Sequence, residues 1–115
     1  MRRHDETTVL DIEQLRDVCM EDTELMRDLV TTLIDDARTK VPLIEDALDH
    51  ADATSCARLA HYVKGACANL GASSMAAILK NIERDAIAGD FGACRASLGS
   101  LSAELEKFSV EAATI

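Results

Sequence analysis

The chain has 115 residues, 48% hydrophobic and 29% charged, and a formal net charge of −9. That length accommodates one domain with a modest core, and the apolar content excludes a disordered chain. A protein this acidic repels nucleic-acid phosphates and anionic lipid, so neither is an expected partner.

One Pro, five Gly and 3% aromatic residues leave few turn and strand formers. Composition therefore favours helices with a core of Leu, Ile, Val, Ala and Met. Met1 to Thr8 is polar and lacks the apolar stretch of a signal peptide. It reads as a disordered tail, with His4 a tail residue. No apolar run approaches the roughly 20 residues of a membrane span, and the expected location is cytoplasmic.

Asp11 is positioned to cap a short helix carrying Ile12, Leu15 and Val18. Asp22 is positioned to cap a second helix, whose stripe is Leu25, Leu29, Leu33, Ala37, Val41, Ile44 and Leu48, spaced by threes and fours. Pro42 interrupts that helix, but the stripe keeps its phase on both sides, which predicts a kink and not a break. Asp49 to Ala53 reads as a turn holding His50, with Asp52, Thr54 or Ser55 capping the third long helix. That helix runs to about Leu70, where Gly71 stops it. Ser73 or Ser74 is the expected cap of the fourth, with stripe Met75, Leu79, Ile82 and Ala86 and a stop at Gly89. Asp90 then caps a fifth helix whose seam is Phe91, Cys94, Leu98, Leu101, Leu105 and Phe108. Short connections make the long helices antiparallel neighbours. The expected fold is all-α, an up-down-up-down four-helix bundle over residues 9–112 with a short extra N-terminal helix.

The four cysteines, at 19, 56, 67 and 94, form no C-x-x-C pair. Cys56, Cys67 and Cys94 fall on apolar stripes and read as small buried hydrophobes.

The informative stretch runs from Leu59 to Gly71. On a helical wheel Cys56, Leu59, Ala60, Val63, Cys67 and Leu70 share one arc, the buried face. His61 lies about 160° from Val63, nearly opposite the core. Around it stand Ala57, Lys64, Gly65 and Ala68, with Arg58 to one side. An exposed mid-helix glycine costs about 1 kcal/mol relative to Ala, and exposed helix surface normally carries long polar side chains. Here the ring about one imidazole is nearly bare, which lets another protein approach its nitrogen. Lys64, three residues on, lies within reach of a phosphoryl group on His61.

At these residues the sequence resembles the histidine phosphotransfer (HPt) family, whose pattern is a His, Lys at +3, Gly at +4 and Leu-Gly at +9 and +10. The matching residues are His61, Lys64, Gly65, Leu70 and Gly71, and Ala60 and Ala72 also fit. The resemblance extends from about Val9 to Phe108. It implies that His61 is phosphorylated and that response-regulator receiver domains, or a hybrid histidine kinase, dock over Ala57, Arg58, Lys64, Gly65 and Ala68. It further implies a polar residue about 22 positions on that hydrogen-bonds the other ring nitrogen. That position is Glu83, which flanks the Leu79–Ile82 stripe.

The expected chemistry is attack by a neutral imidazole on the aspartyl phosphate of a receiver, and delivery to another receiver. Lys64 supplies part of the charge neutralisation. No carboxylate cluster for a metal is evident, so Mg²⁺ is expected from the partner receiver and no cofactor from this chain. The absence of a Gly-rich phosphate loop or nucleotide motif argues against a kinase or other enzyme. The expectation is a monomeric phosphorelay intermediate. The alternative is a helical adaptor that binds receiver or kinase domains without being phosphorylated.

Overall fold

In the computed structural model, which describes residues 6–115, five helices follow one another: α1 (Ile12–Val18), α2 (Thr23–Asp49), α3 (Ala53–Asn69), α4 (Ser73–Ile87) and α5 (Phe91–Ala112). Met1 to Asp5 lie outside the described residues, and with them His4 and most of the expected tail. Thr8, at the tail's end, accepts a hydrogen bond at its carbonyl from Ser74 N–H, 2.9 Å long.

Four helix starts carry the expected aspartate. Asp11, Asp22, Asp52 and Asp90 each accept a hydrogen bond from the backbone N–H three residues on, satisfying a donor that the helix leaves open. The fourth long helix differs from expectation. Ala72 stands at the cap position of α4 and makes no side-chain cap bond, while Ser73 and Ser74 lie inside the helix and are buried. The N-terminal segment takes over part of the cap's task, through the Thr8 carbonyl. The Ser74 hydroxyl is thereby free for the bundle interior, where it donates to Glu104 at 2.9 Å.

The helix ends use left-handed backbone. Gly71 (φ +82°) follows α3 and Gly89 (φ +77°) follows α4, as the sequence suggested, while Ala51 (φ +50°) makes the same turn after α2 without a glycine. Helix α2 runs through Pro42 without a break.

The core takes one stripe from each long helix: Met26, Val30, Leu33, Ile44 and Leu48 from α2, Cys56, Ala60, Val63 and Cys67 from α3, Met75, Leu79, Ile82 and Ala86 from α4, and Cys94, Leu98, Leu101, Leu105 and Phe108 from α5. Two expectations shift here. At the start of α2 the buried residues are Met26 and Val30, one position on from the expected Leu25 and Leu29; Leu25 is exposed and Leu29 half-buried. A straight helix at 3.6 residues per turn drifts against a long three-and-four pattern, so the far end of a 27-residue helix presents neighbouring positions. Val18, in the last turn of α1, is exposed, because a seven-residue helix has only one side against the bundle and Leu15 occupies it.

Each long helix packs on two others in a ring, α2 on α3, α3 on α4, α4 on α5 and α5 on α2. Ion pairs show the antiparallel run of α2 and α5: Asp49 meets Arg95 at 2.8 Å and Arg38 meets Glu106 at 3.4 Å. The fold is thus a four-helix bundle with α1 laid across one end, where Gln14 Nε2 donates to the Ala68 carbonyl at 2.5 Å. Asp11 N–H donates to Gly71 C=O at 2.8 Å. None of the described helices is long and apolar enough to cross a membrane.

Candidate functional site

Helix α3 turns His61 away from the core because Ala60 and Val63 on either side are buried. The His61 side chain is 68% exposed and Glu83, facing it from α4, is 23% exposed. Antiparallel packing of α3 on α4 brings these two residues together across 22 positions of sequence. Glu83 sits next to the fully buried Ile82, so its carboxylate leaves the core edge toward α3 and not toward open solvent.

His61 Nδ1 lies 2.9 Å from Glu83 Oε2. A carboxylate only accepts, so the ring nitrogen donates and Nδ1 carries the hydrogen. In the neutral ring Nε2 is then the nitrogen with the free lone pair. The other Glu83 oxygen, Oε1, accepts from Lys64 Nζ at 2.6 Å. The Lys64 hydrogen bond, ahead of the attraction of His61, holds the Glu83 carboxyl below its ordinary range.

One carboxylate thus bridges the imidazole and the ammonium. Sequence reasoning placed all three residues but missed the Lys64–Glu83 bond. Lys80 stands one turn earlier on α4, at i−3 from Glu83, yet the ionic partner of Glu83 is Lys64. An i,i+3 pair is visible in sequence, whereas a partner on another helix depends on the register of two packed helices.

The residues around His61 are as small as expected but not uniformly exposed. Arg58, Gly65 and Ala68 are exposed, while Ala57 is half-buried and touches the core. A Cβ built on Gly65 meets no heavy atom within 4 Å, so nothing inside the bundle requires glycine there. Gly65 and Ala68 open onto a shallow groove between α3 and α4, floored by Ala76 and Ala77 and flanked by Lys64 and Lys80. On the opposite flank Tyr62 is exposed, with Lys40 Nζ 5.2 Å from its ring centre. Sequence reasoning did not single out Tyr62, although its place beside His61 was a signal for a surface aromatic at a contact face.

His50, read as a turn residue, caps the end of α2, with Nδ1 2.8 Å from the Asp46 carbonyl oxygen. Among the described residues, no group of three or more His, Cys, Asp or Glu side chains is placed to hold a metal ion.

Comparison with known proteins decides the lineage. Residues 28–111 match the Hpt domain family. The chain belongs to the Hpt domain family. As an Hpt domain it is a phosphorelay intermediate, a module that carries a phosphoryl group between kinase and receiver domains. Its sequence is similar to part of the sensor histidine kinase AruS of Pseudomonas aeruginosa, 36% identical over 76 residues. That stretch is 64% of this chain and only 8% of that protein. Its fold is similar to the crystal structure of histidine-containing phosphotransfer protein B (HptB) of Pseudomonas aeruginosa, with a TM-score of 0.86 over 94% of each chain and 22% identity.

Proposed function

We propose that His61 is the phosphoryl-carrying residue of this Hpt domain. The observation that carries the reading is the Nδ1–Glu83 hydrogen bond of 2.9 Å, which in the neutral ring puts the free lone pair on Nε2, above a nearly bare helix face. The Nε2 lone pair attacks the phosphorus of an aspartyl phosphate on a receiver domain. The N–P bond forms, the P–O bond breaks, and the aspartate leaves as a carboxylate. The ring is then an imidazolium whose Nδ1 proton Glu83 continues to hold. In the return step a receiver aspartate oxygen attacks the phosphorus, an O–P bond forms as the N–P bond breaks, and a neutral imidazole departs, a far better leaving group than an imidazolate. Glu83 thus favours transfer in both directions without taking the proton.

Lys64 lies on the same face and offers a positive charge to the phosphoryl oxygens. Mg²⁺ belongs to the receiver's side of the complex. The docking surface is Ala57, Arg58, Lys64, Gly65 and Ala68. Receiver and kinase domains are the partner classes of the family; for this chain we propose exchange with receivers, as a monomer in the cytoplasm, through a single unit of residues 9–112.

The test is His61→Gln. Wild type should take up phosphate that is lost in acid and survives in base, and the variant should take up none while melting within about 0.5 kcal/mol of wild type, as an exposed substitution does. Unchanged uptake by the variant removes the proposal, and an acid-stable label points to a hydroxyl residue. A survey of the organism's receiver domains with phosphorylated protein then names the cognate partners.

A further inference from the structure

We infer that Tyr62 is the anchor by which a receiver domain grips this chain, and that the receiver lies across α3 toward α2 and not toward α4. The inference rests on His61 being the carrier, since that fixes where the receiver stands.

Transfer brings the partner's aspartate against a phosphoryl group on Nε2, so the partner covers the surface around His61. A complex of ordinary size buries about 600–800 Å² on each partner, a disc of roughly 14–16 Å radius about the imidazole. The residues next to His61 supply little apolar area for it. Ala57 is half-buried, Gly65 has no side chain, Ala68 offers a methyl, and Arg58 and Lys64 are charged. The apolar anchor therefore stands on a flank.

The α2 flank carries one. Tyr62 follows His61 by about 100° around α3, and Gly65, four residues after His61 and three after Tyr62, lies between them on the crest. A Cβ on Gly65 would meet only open space, so a partner can settle on the backbone there and touch both rings. Tyr62 is 59% exposed, and Leu43 on α2 is 47% exposed. Leu59, one turn before Tyr62, is half-buried and continues the apolar surface to the core. Lys40 Nζ lies 5.2 Å from the Tyr62 ring centre and is itself held by Asp36 at 3.1 Å. The ring is thus backed by a fixed cation before any partner arrives, which lowers the cost of ordering it. Leu43 follows Lys40 by three residues on the same side of α2.

The α4 flank has a different character. Lys80, Glu83 and Arg84 are charged, the groove floor is Ala76 and Ala77, and the one large exposed apolar side chain of α4 is Ile87 in its last turn. Aromatic residues backed by packed neighbours carry most of the energy of protein interfaces. The partner that fits is a receiver with apolar residues beside its phosphate-accepting aspartate.

The experiment uses the whole chain and the receiver domain of the organism that binds it most tightly. Binding is titrated with unphosphorylated protein, and transfer from phosphorylated protein is followed over a range of receiver concentrations. Tyr62→Ala should weaken binding and raise KM for the receiver by about tenfold, with the rate at saturating receiver within about twofold of wild type. Tyr62→Phe should restore KM to within about twofold, because the ring is the anchor and not its hydroxyl. Leu43→Ala should weaken binding about threefold and Ile87→Ala less than about twofold. A Tyr62→Ala protein that binds as wild type does overturns the inference. So does a greater loss from Ile87→Ala than from Tyr62→Ala, which would place the receiver over α4. A lower saturated rate at unchanged KM overturns it as well, because Tyr62 would then act on the imidazole and not on the partner. Melting curves verify that each variant is folded, and Tyr62→Gln gives the same reading should alanine loosen α3. Binding needs no phosphoryl group, so a wild-type protein without acid-labile phosphate on His61 overturns the carrier assignment while the titration still decides Tyr62.

Discussion

At the scale of single residues, Gly65 separates what the bundle needs from what the site needs. Its φ is not left-handed and a Cβ there would meet open space. Gly65→Ala should therefore raise stability by about 0.4–1 kcal/mol, through helix propensity and a less flexible unfolded chain. Gly65→Leu should fold as well, but it plants a branched side chain one turn from His61 on the face proposed for docking. We expect its melting temperature to hold and its transfer rate to a receiver to fall sharply, with Gly65→Ala mild. Single-turnover transfer together with thermal melts checks both signs. A Gly65→Leu protein that transfers at the wild-type rate would make the glycine incidental.

At the scale of elements, two glycines with nearly the same backbone angle have different tasks. Gly89 ends α4 with nothing near its missing Cβ, while Gly71 ends α3 with the Asp11 carbonyl oxygen 2.6 Å from where a Cβ would stand. Gly89→Ala should cost about 1 kcal/mol, the strain of a left-handed alanine. Gly71→Ala should cost more, about 2–3 kcal/mol, because it adds a clash with backbone and weakens the Asp11 N–H to Gly71 C=O bond that ties α1 to the turn. Urea unfolding of the two variants gives the comparison, and equal losses would show that α1 yields without cost. The position of Gly71 as a helix stop was legible in the sequence. The approach of Asp11, 60 positions earlier, was not, since nothing local in either segment specifies the other. The same limit explains the cap of α4, where the sequence favoured a serine and the chain supplied the Thr8 carbonyl.

At the scale of the molecule, the four cysteines are all buried, Cys19 included, and all free. Burial pushes the Cys56 thiol up to about 11 and the Cys67 thiol up to about 12. Thiols with raised values stay protonated and unreactive at neutral pH. Iodoacetamide at pH 8 should label native protein slowly at all four and unfolded protein fast, read by mass spectrometry. The folded state holds these protons more tightly than the unfolded state, so their contribution to stability is fully present below the ordinary thiol value of 9.0 and is lost as pH rises through the folded values. The urea midpoint should fall between pH 9 and 11, and rapid native labelling at pH 8 would show that the bundle opens locally.

Much of this protein is determined by its sequence alone. Apolar spacing specifies four amphipathic helices, aspartates mark four of the five helix starts, and glycines mark two of the ends. The outward direction of His61 follows from its phase against Ala60 and Val63, and its bare surroundings follow from residue type. These are local properties, set by a helix's own 100° per residue and by backbone sterics. Only the tertiary structure decided which face of α2's first turns is buried, that Ser73 and Ser74 are buried, and that the second oxygen of the Glu83 carboxylate takes Lys64. Those outcomes depend on the rotation and register of one helix against another, which are set by the packing of whole faces and not by the spacing within any one of them.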